Sequence, residues 1–119
     1  MYVDIQARDF SLTGSILNEV ERSISDPLIH RYDRISQITV RLTDLNGPRG
    51  GNDKCCRVRV KIPGENDVFI EDVKSDLYAA ISRAGQRALR SVARRFERRA
   101  NHKQHRVYRN KNWNALQSA

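Results

Sequence analysis

Hydrophobic residues recur at two different spacings along the chain. In four stretches they alternate with polar residues, which is the period of a strand with one buried face. These stretches are Met1 to Ala7, Ile35 to Leu42, Lys54 to Ile62 and Val68 to Val73. Turn-forming residues between Thr43 and Asp53 predict a long hairpin loop that joins the second of these strands to the third.

Two other stretches have the three- and four-residue spacing of an amphipathic helix. The first helix is predicted to run from about Gly14 to Ser25, with Thr13 as its cap. It should end near Asp26, because Pro27 follows and a residue before proline disfavours helical geometry.

The second helix follows the fourth strand. Ser75 or Asp76 can cap it, and its apolar stripe continues to about Arg99. Strands with one apolar face need a cover on one side only. We therefore predict an α+β fold of order β-α-β-β-β-α, in which a four-stranded, mostly antiparallel sheet carries both helices packed on one face.

The chain of 119 residues has room for one modest core. We predict a single folded domain over residues 1–100. Residues 101–119 show no sustained periodicity and are rich in polar side chains, so they are predicted to form a basic, extended or disordered, flexible tail.

The net charge of +8 comes from the carboxy-terminal third of the chain. From Arg83 onward there are 11 basic residues and one acid, Glu97, whereas residues 1–82 sum to −2. With about 100° of rotation per helical residue, four further arginines fall within roughly 60° of Arg83. We call these five residues the arginine ridge: Arg83, Arg87, Arg90, Arg94 and Arg98.

A ridge of one charge sign is unusual on a helix that faces only solvent. Solvated faces usually mix signs, because like charges four residues apart cost a few tenths of a kcal/mol per pair. Arginine also binds phosphate in a two-point fashion and stacks on bases. The ridge therefore favours a contact with RNA or DNA phosphates over a plain solvated surface.

Other features indicate no further chemistry. No apolar run reaches the roughly 20 residues that cross a membrane, and no signal peptide is recognisable, so we predict a cytoplasmic protein. Cys55 and Cys56 are neighbours on a predicted strand, which favours ordinary buried and half-exposed thiols. His102 and His105 lack a second pair of metal ligands. We predict no metal, no cofactor and no small-molecule substrate.

Three stretches of the sequence resemble the ribosome hibernation-promoting factor and ribosome-associated inhibitor A family. They are ARDFSLT (Ala7 to Thr13), RISQITVRLTDLNGPRGGNDKCCRVRVKIPG (Arg34 to Gly64) and DLYAAISRAGQRALRSVARRFERR (Asp76 to Arg99). The resemblance covers roughly the first hundred residues. It implies a domain that binds the small ribosomal subunit where transfer RNA and messenger RNA would sit. The chain resembles the short form of the family, without the dimerising domain of longer members, and its basic tail departs from members with acidic tails.

The resemblance also implies which residues contact ribosomal RNA (rRNA), because family members use basic residues of the second helix. Arg87, Arg90, Arg94 and Arg98 match such positions and are the main predicted contacts, and Arg83 continues the ridge. Further predicted contacts are Arg95 and Arg99 on the flank of the second helix, and Arg22 and Arg31 near the first helix.

The mechanism that follows is occupancy without catalysis: a compact domain neutralises rRNA phosphates and excludes transfer RNA and messenger RNA. Two alternatives stay open. The ridge could bind a protein partner such as a transcription factor, or free structured RNA. An RNA-processing enzyme would need acid/base groups such as Asp72 and Asp76, which the sequence favours as helix caps. The sequence also leaves open whether a ribosome-dimerising factor pairs the bound ribosomes.

Overall fold

The computed structural model describes residues 2–8, 11–45 and 53–118, with side chains as far as residue 98. The elements follow the predicted order, with an interrupted first helix. They are β1 (Tyr2–Arg8), α1 (Gly14–Val20), a π-helical turn (Glu21–Ser25), α2 (Asp26–Arg31), β2 (Gln37–Asp44), β3 (Lys54–Lys61), β4 (Val68–Lys74) and α3 (Leu77–Ser118).

The four strands form one mixed sheet in the order β1-β2-β3-β4. β1 pairs with β2 in parallel, while the β2–β3 and β3–β4 pairs are antiparallel. The parallel pair is possible because the helical segment between β1 and β2 crosses over the sheet. The predicted α+β class and mostly antiparallel sheet are confirmed.

The core lies between the helices and one face of this sheet. In β2, β3 and β4 the apolar residues that alternate with polar positions are almost fully buried, as the period of two predicted, while those of β1 are half-buried. They pack with the apolar stripes of the helices into one cluster, which includes Val40, Val58, Ile24, Leu28 and Ile81. None of the described helices covers the opposite face of the sheet.

The first helical segment extends past its predicted end. Pro27 does not stop it; the chain passes through the π-helical turn and continues as α2 to Arg31. Proline is tolerated here because it occupies the first turn of α2, where its missing N–H costs little. In an α-helix that N–H would bond to the carbonyl of Ser23. The π-helical turn interrupts the α-helical hydrogen-bond pattern at this point.

α3 packs closely on the π-helical turn through small residues. Ala80, Ala84, Gly85 and Ala88 are all buried on its inner stripe. A Cβ atom built on Gly85 would lie 2.1 Å from the carbonyl oxygen of Ser23. Glycine is therefore required where the two helical backbones meet.

α3 also continues beyond its predicted end near Arg99, to Ser118. The predicted end relied on the loss of apolar periodicity, but no glycine or proline follows Gly85 to stop the helix. The sequence predicted an extended or disordered tail over residues 101–119, whereas the backbone of residues 101–118 is helical. The division into a domain and a flexible tail stays a prediction, and the side chains of residues 99–118 lie outside the described part.

Candidate nucleic-acid interface

The arginine ridge lies on the outer side of α3, away from the core. Arg83, Arg90, Arg94 and Arg98 are exposed, and none has an acidic partner among the described residues. At about 1.5 Å of rise per residue they extend over roughly 22 Å. The four guanidinium groups are thus free to neutralise a row of phosphates.

Arg87, the fifth member of the ridge, is held by β4. Its Nη1 atom donates hydrogen bonds to the carbonyl oxygen of Glu71 at 2.6 Å and to Oδ2 of Asp72 at 3.0 Å. The Asp72 side chain is only 9% exposed, while that of Arg87 is 41% exposed. Arg87 therefore ties α3 to the edge of the sheet, and its charge is partly neutralised before any ligand binds.

The flank of α3 also contributes to the fold. Arg95 is half-buried, and its Nη1 atom donates a hydrogen bond at 2.5 Å to the carbonyl oxygen of Asn66 in the β3–β4 connection. This contact orients the connection against the helix. Arg99 was predicted on the same flank, but its side chain lies outside the described part of the chain.

The two predicted contacts near the first helical segment have different surroundings. Arg22 is 75% exposed and forms an ion pair at 2.7 Å with Glu19. Its hydrogen bonds lower the pKa of Glu19, which keeps this carboxylate ionised beside the arginine. Arg22 is thus a partly neutralised cation at this surface.

Arg31 is exposed at the end of α2 and is brought next to α3 by aromatic rings. Its guanidinium carbon lies 6.0 Å from the centre of the Tyr32 ring. Tyr32 in turn stacks on Phe96 of α3, with 4.8 Å between ring centres and planes 10° apart. The stack joins the end of α2 to the core-facing side of α3, where Phe96 packs, and not to the ridge.

The two acids at the start of α3 have structural partners. Oδ1 of Asp76 accepts a hydrogen bond from the Tyr78 backbone N–H at 3.2 Å, which confirms its predicted capping role. Asp72 lies on β4 and pairs with Arg87 rather than capping the helix, so the capping interpretation is wrong for this residue.

A second basic surface lies on the uncovered face of the sheet. Arg41, Arg57 and Arg59 are exposed there, on the opposite side of the sheet from the helices. Arg57 and Arg59 form ion pairs with Glu71 at 3.0 Å and with Asp67 at 2.7 Å. The alternation along β2 and β3 places these arginines on one face, but it leaves their position relative to the ridge open.

The described residues contain no cluster of three or more metal-ligating side chains. Cys55 and Cys56 are both free and buried, so the prediction that one is half-exposed is wrong. Burial raises the pKa of Cys56 to about 12, which makes this thiol unreactive at neutral pH. His102 and His105 lie outside the described side chains. None of the described helices has the length and apolar character that a membrane crossing requires.

Comparison with known families and structures connects this geometry to ribosomal proteins. The model of the family described as "Sigma 54 modulation protein / S30EA ribosomal protein" matches residues 3–100. Among curated protein sequences, none matches this chain significantly.

Two solved structures are similar. The N-terminal domain of Protein Y from Thermus thermophilus is 28% identical, with a TM-score of 0.63, and the match covers 79% of this chain and 98% of that one. A ribosomal subunit interface protein from Coxiella burnetii has a TM-score of 0.66 at 15% identity, over 82% of this chain and 99% of that one. At this lower identity the second similarity concerns the fold alone.

Proposed function

The chain belongs to the Sigma 54 modulation protein / S30EA ribosomal protein family, and we propose that it is a ribosome hibernation factor that binds the small subunit. In this proposal it occupies the decoding region, where transfer RNA and messenger RNA bind, and silences or protects idle ribosomes in the cytoplasm. The description of this family as a ribosomal protein family supports a location on the ribosome.

The observation that carries this proposal is the exposed part of the ridge. Four arginines on one side of α3 have no acidic partner in the described part of the chain. Such a surface is repulsive to itself and is stabilised by a polyanion. Arginine is suited to rRNA because its planar guanidinium donates two parallel hydrogen bonds to a phosphate.

The proposed mode of action is occupancy without catalysis. Protein side chains reach the phosphates and the shallow minor groove of A-form RNA more easily than the base edges in its deep major groove. Recognition would therefore depend mainly on shape and charge. Once bound, the domain would exclude transfer RNA and messenger RNA by occupying the same volume. An RNA-processing enzyme could have used Asp72 and Asp76 as acid/base groups. In this chain Asp72 pairs with Arg87, and Asp76 caps α3.

A competition experiment tests the position on the subunit. Labelled protein is added to purified small subunits that are either empty or loaded with messenger RNA and transfer RNA. Occupancy of the decoding region predicts strong binding to empty subunits and displacement by the loaded RNAs. Equal binding to both would place the protein elsewhere on the subunit. A complex with another cellular component that survives ribonuclease would instead favour a protein partner.

A further inference from the structure

The uncovered face of the sheet has the composition of a nucleic-acid surface. We call it the open sheet face; it consists of the strand residues that point away from the helices. Register places five basic side chains on it: Arg8, Arg41, Arg57, Arg59 and Lys61. Two acidic strand residues, Asp4 and Glu71, share this face. It therefore carries a surplus of positive charge.

An exposed aromatic ring lies beside these cations. Phe69 on the edge strand β4 is 70% exposed, more than any other large hydrophobic side chain in the described part of the chain. It lies opposite Arg59 in the register, and the guanidinium carbon of Arg59 is 5.7 Å from the centre of its ring. Because Asp67 holds Arg59 at 2.7 Å, the arginine and the ring form a fixed pair.

Arg41 adds a cation that forms no ion pair with any acidic side chain described in the structure. It lies directly opposite Arg57 in the β2–β3 register, and like charges in this position destabilise a sheet. Arg57 is paired with Glu71, while Arg41 has no acidic partner among the described residues. An anion bound between these strands would remove the repulsion.

These side chains line one shallow groove of about 420 Å³ across the open sheet face. Arg41, Arg57, Arg59 and Phe69 border it, together with the polar Thr39 and the acidic Asp4 and Glu71. Arg57 and Arg59 are 57% and 52% exposed despite their ion pairs. A guanidinium has five N–H donors, so both arginines keep donors for a ligand.

We propose that the open sheet face is a second binding site, specific for unpaired RNA nucleotides, with a base stacked on Phe69 and phosphates bound by Arg41 and Arg57. Stacking needs a free base face, which a duplex hides, so single-stranded RNA is the ligand class that the ring selects. The surplus of positive charge on this face favours a polyanion such as RNA over a protein partner.

This site goes beyond the proposed function, since it lies on the opposite side of the sheet from the helix layer that carries the ridge. A domain with both surfaces could contact two RNA elements at once. The ridge would bind structured RNA by charge, while the open sheet face would bind a neighbouring unpaired segment. The two sites can be tested separately, because no residue belongs to both.

The test measures the binding of a short, unstructured oligouridine to the full chain by fluorescence anisotropy. To remove binding by the ridge, Arg83, Arg90, Arg94 and Arg98 are changed to alanine in every protein used. In this background Phe69→Ala and Phe69→Leu should each weaken binding at least about fivefold, the loss expected for one stacked base. Tyr78→Ala, which removes an exposed ring from α3, should change nothing.

Phe69→Leu keeps the apolar volume on an exposed edge, so it separates the loss of a ring from the loss of the fold, which far-ultraviolet circular dichroism monitors. Photo-crosslinking with a thiouridine-containing oligonucleotide should label the β4 peptide. The proposal is overturned if the ridge-deficient protein does not bind oligouridine, if Phe69→Leu binds as well as its parent, or if the crosslinks lie only on α3. None of these results depends on whether the chain binds the small subunit.

Discussion

Arg87 shows that a residue can belong to a charged surface and also stabilise the fold. Its bonds to the Glu71 carbonyl and to the buried Asp72 carboxylate join α3 to β4. The sequence placed it correctly on the ridge stripe, but not in this pair. The pair depends on the register of α3 against β4, which a hydrophobic pattern does not determine.

We predict that Arg87→Ala lowers the free energy of unfolding by about 1–2 kcal/mol, because it leaves Asp72 buried with only Lys74 nearby. The value is below that of a fully buried pair because Arg87 is partly exposed to water. Arg90→Ala, on the same stripe but without a partner, should change stability by less than about 0.5 kcal/mol. Urea unfolding followed by circular dichroism measures both. Equal effects would show that the Arg87–Asp72 pair does not stabilise the domain.

Cys56 gives the domain a predictable dependence on alkaline pH. Its folded-state pKa of about 12 is above the ordinary value of 9.0, because burial disfavours the thiolate. The unfolded chain therefore loses this proton first as pH rises. The stabilisation is fully present below pH 9 and is lost between about pH 9 and 12.

The free energy of unfolding should consequently fall with pH in that range, by at most about 1.4 kcal/mol per pH unit from this group. Other groups titrate there too, so the comparison is with Cys56→Ala, whose stability should decline less steeply. Parallel curves for the two proteins would mean that the Cys56 thiol is not shielded from water in the folded state.

At the scale of elements, the strands and the starts of both helices were readable from the sequence, and the helix ends were not. The period of two gave the positions of all four strands to within two residues, because each has one buried and one exposed face. The predicted end of the first helix was wrong because it relied on Pro27, whereas the chain passes through the π-helical turn and continues as a helix. The end of α3 was misplaced because an apolar stripe marks where a helix packs, and not where it stops.

The packing of α3 on the π-helical turn makes Gly85 a test of this arrangement. In Gly85→Ala the new Cβ would lie 2.1 Å from the Ser23 oxygen and 2.9 Å from its carbon, both backbone atoms that cannot swing aside. Overpacking typically costs 1–3 kcal/mol. It should outweigh the gain in helix propensity of about 1 kcal/mol. We expect a lower unfolding midpoint in urea.

Gly14 provides the matched control for this substitution. It is the first residue of α1, and a Cβ built on it meets nothing within 4 Å. Gly14→Ala should therefore leave stability unchanged or raise it by up to about 1 kcal/mol. If both alanine variants were equally stable, the close crossing at Ser23 would not exist in solution.

At the scale of the whole molecule, the strand order and the position of the second basic surface came only from the structure. Strands that are neighbours in the sequence need not be neighbours in a sheet. Here the strand order places β1 at an edge, where it pairs in parallel with β2. Alternation separated the two faces of each strand and implied that the helices cover the apolar one, but it did not say where the polar face lies relative to the ridge. Once they cover the Val40 and Val58 face, Arg41 and Arg57 must lie on the other.

We propose that the ridge binds the small ribosomal subunit through phosphates. Co-sedimentation with purified subunits across a salt series is the experiment that we would perform first. Wild-type protein should bind with a log-log salt slope of about −4 to −6, the value for five to seven neutralised phosphates. Changing Arg83, Arg90, Arg94 and Arg98 to alanine should weaken binding and make the slope about 3 less steep. Arg87 is left in place so that the fold is preserved.

Changing the same four residues to lysine is the matched control, because it keeps the charge and should keep most of the slope while weakening affinity through the loss of two-point contacts. Binding should fall steeply with salt for the wild type and the lysine variant, and it should be weak for the alanine variant. Wild-type and alanine proteins that bind equally well with equal slopes would contradict the proposal.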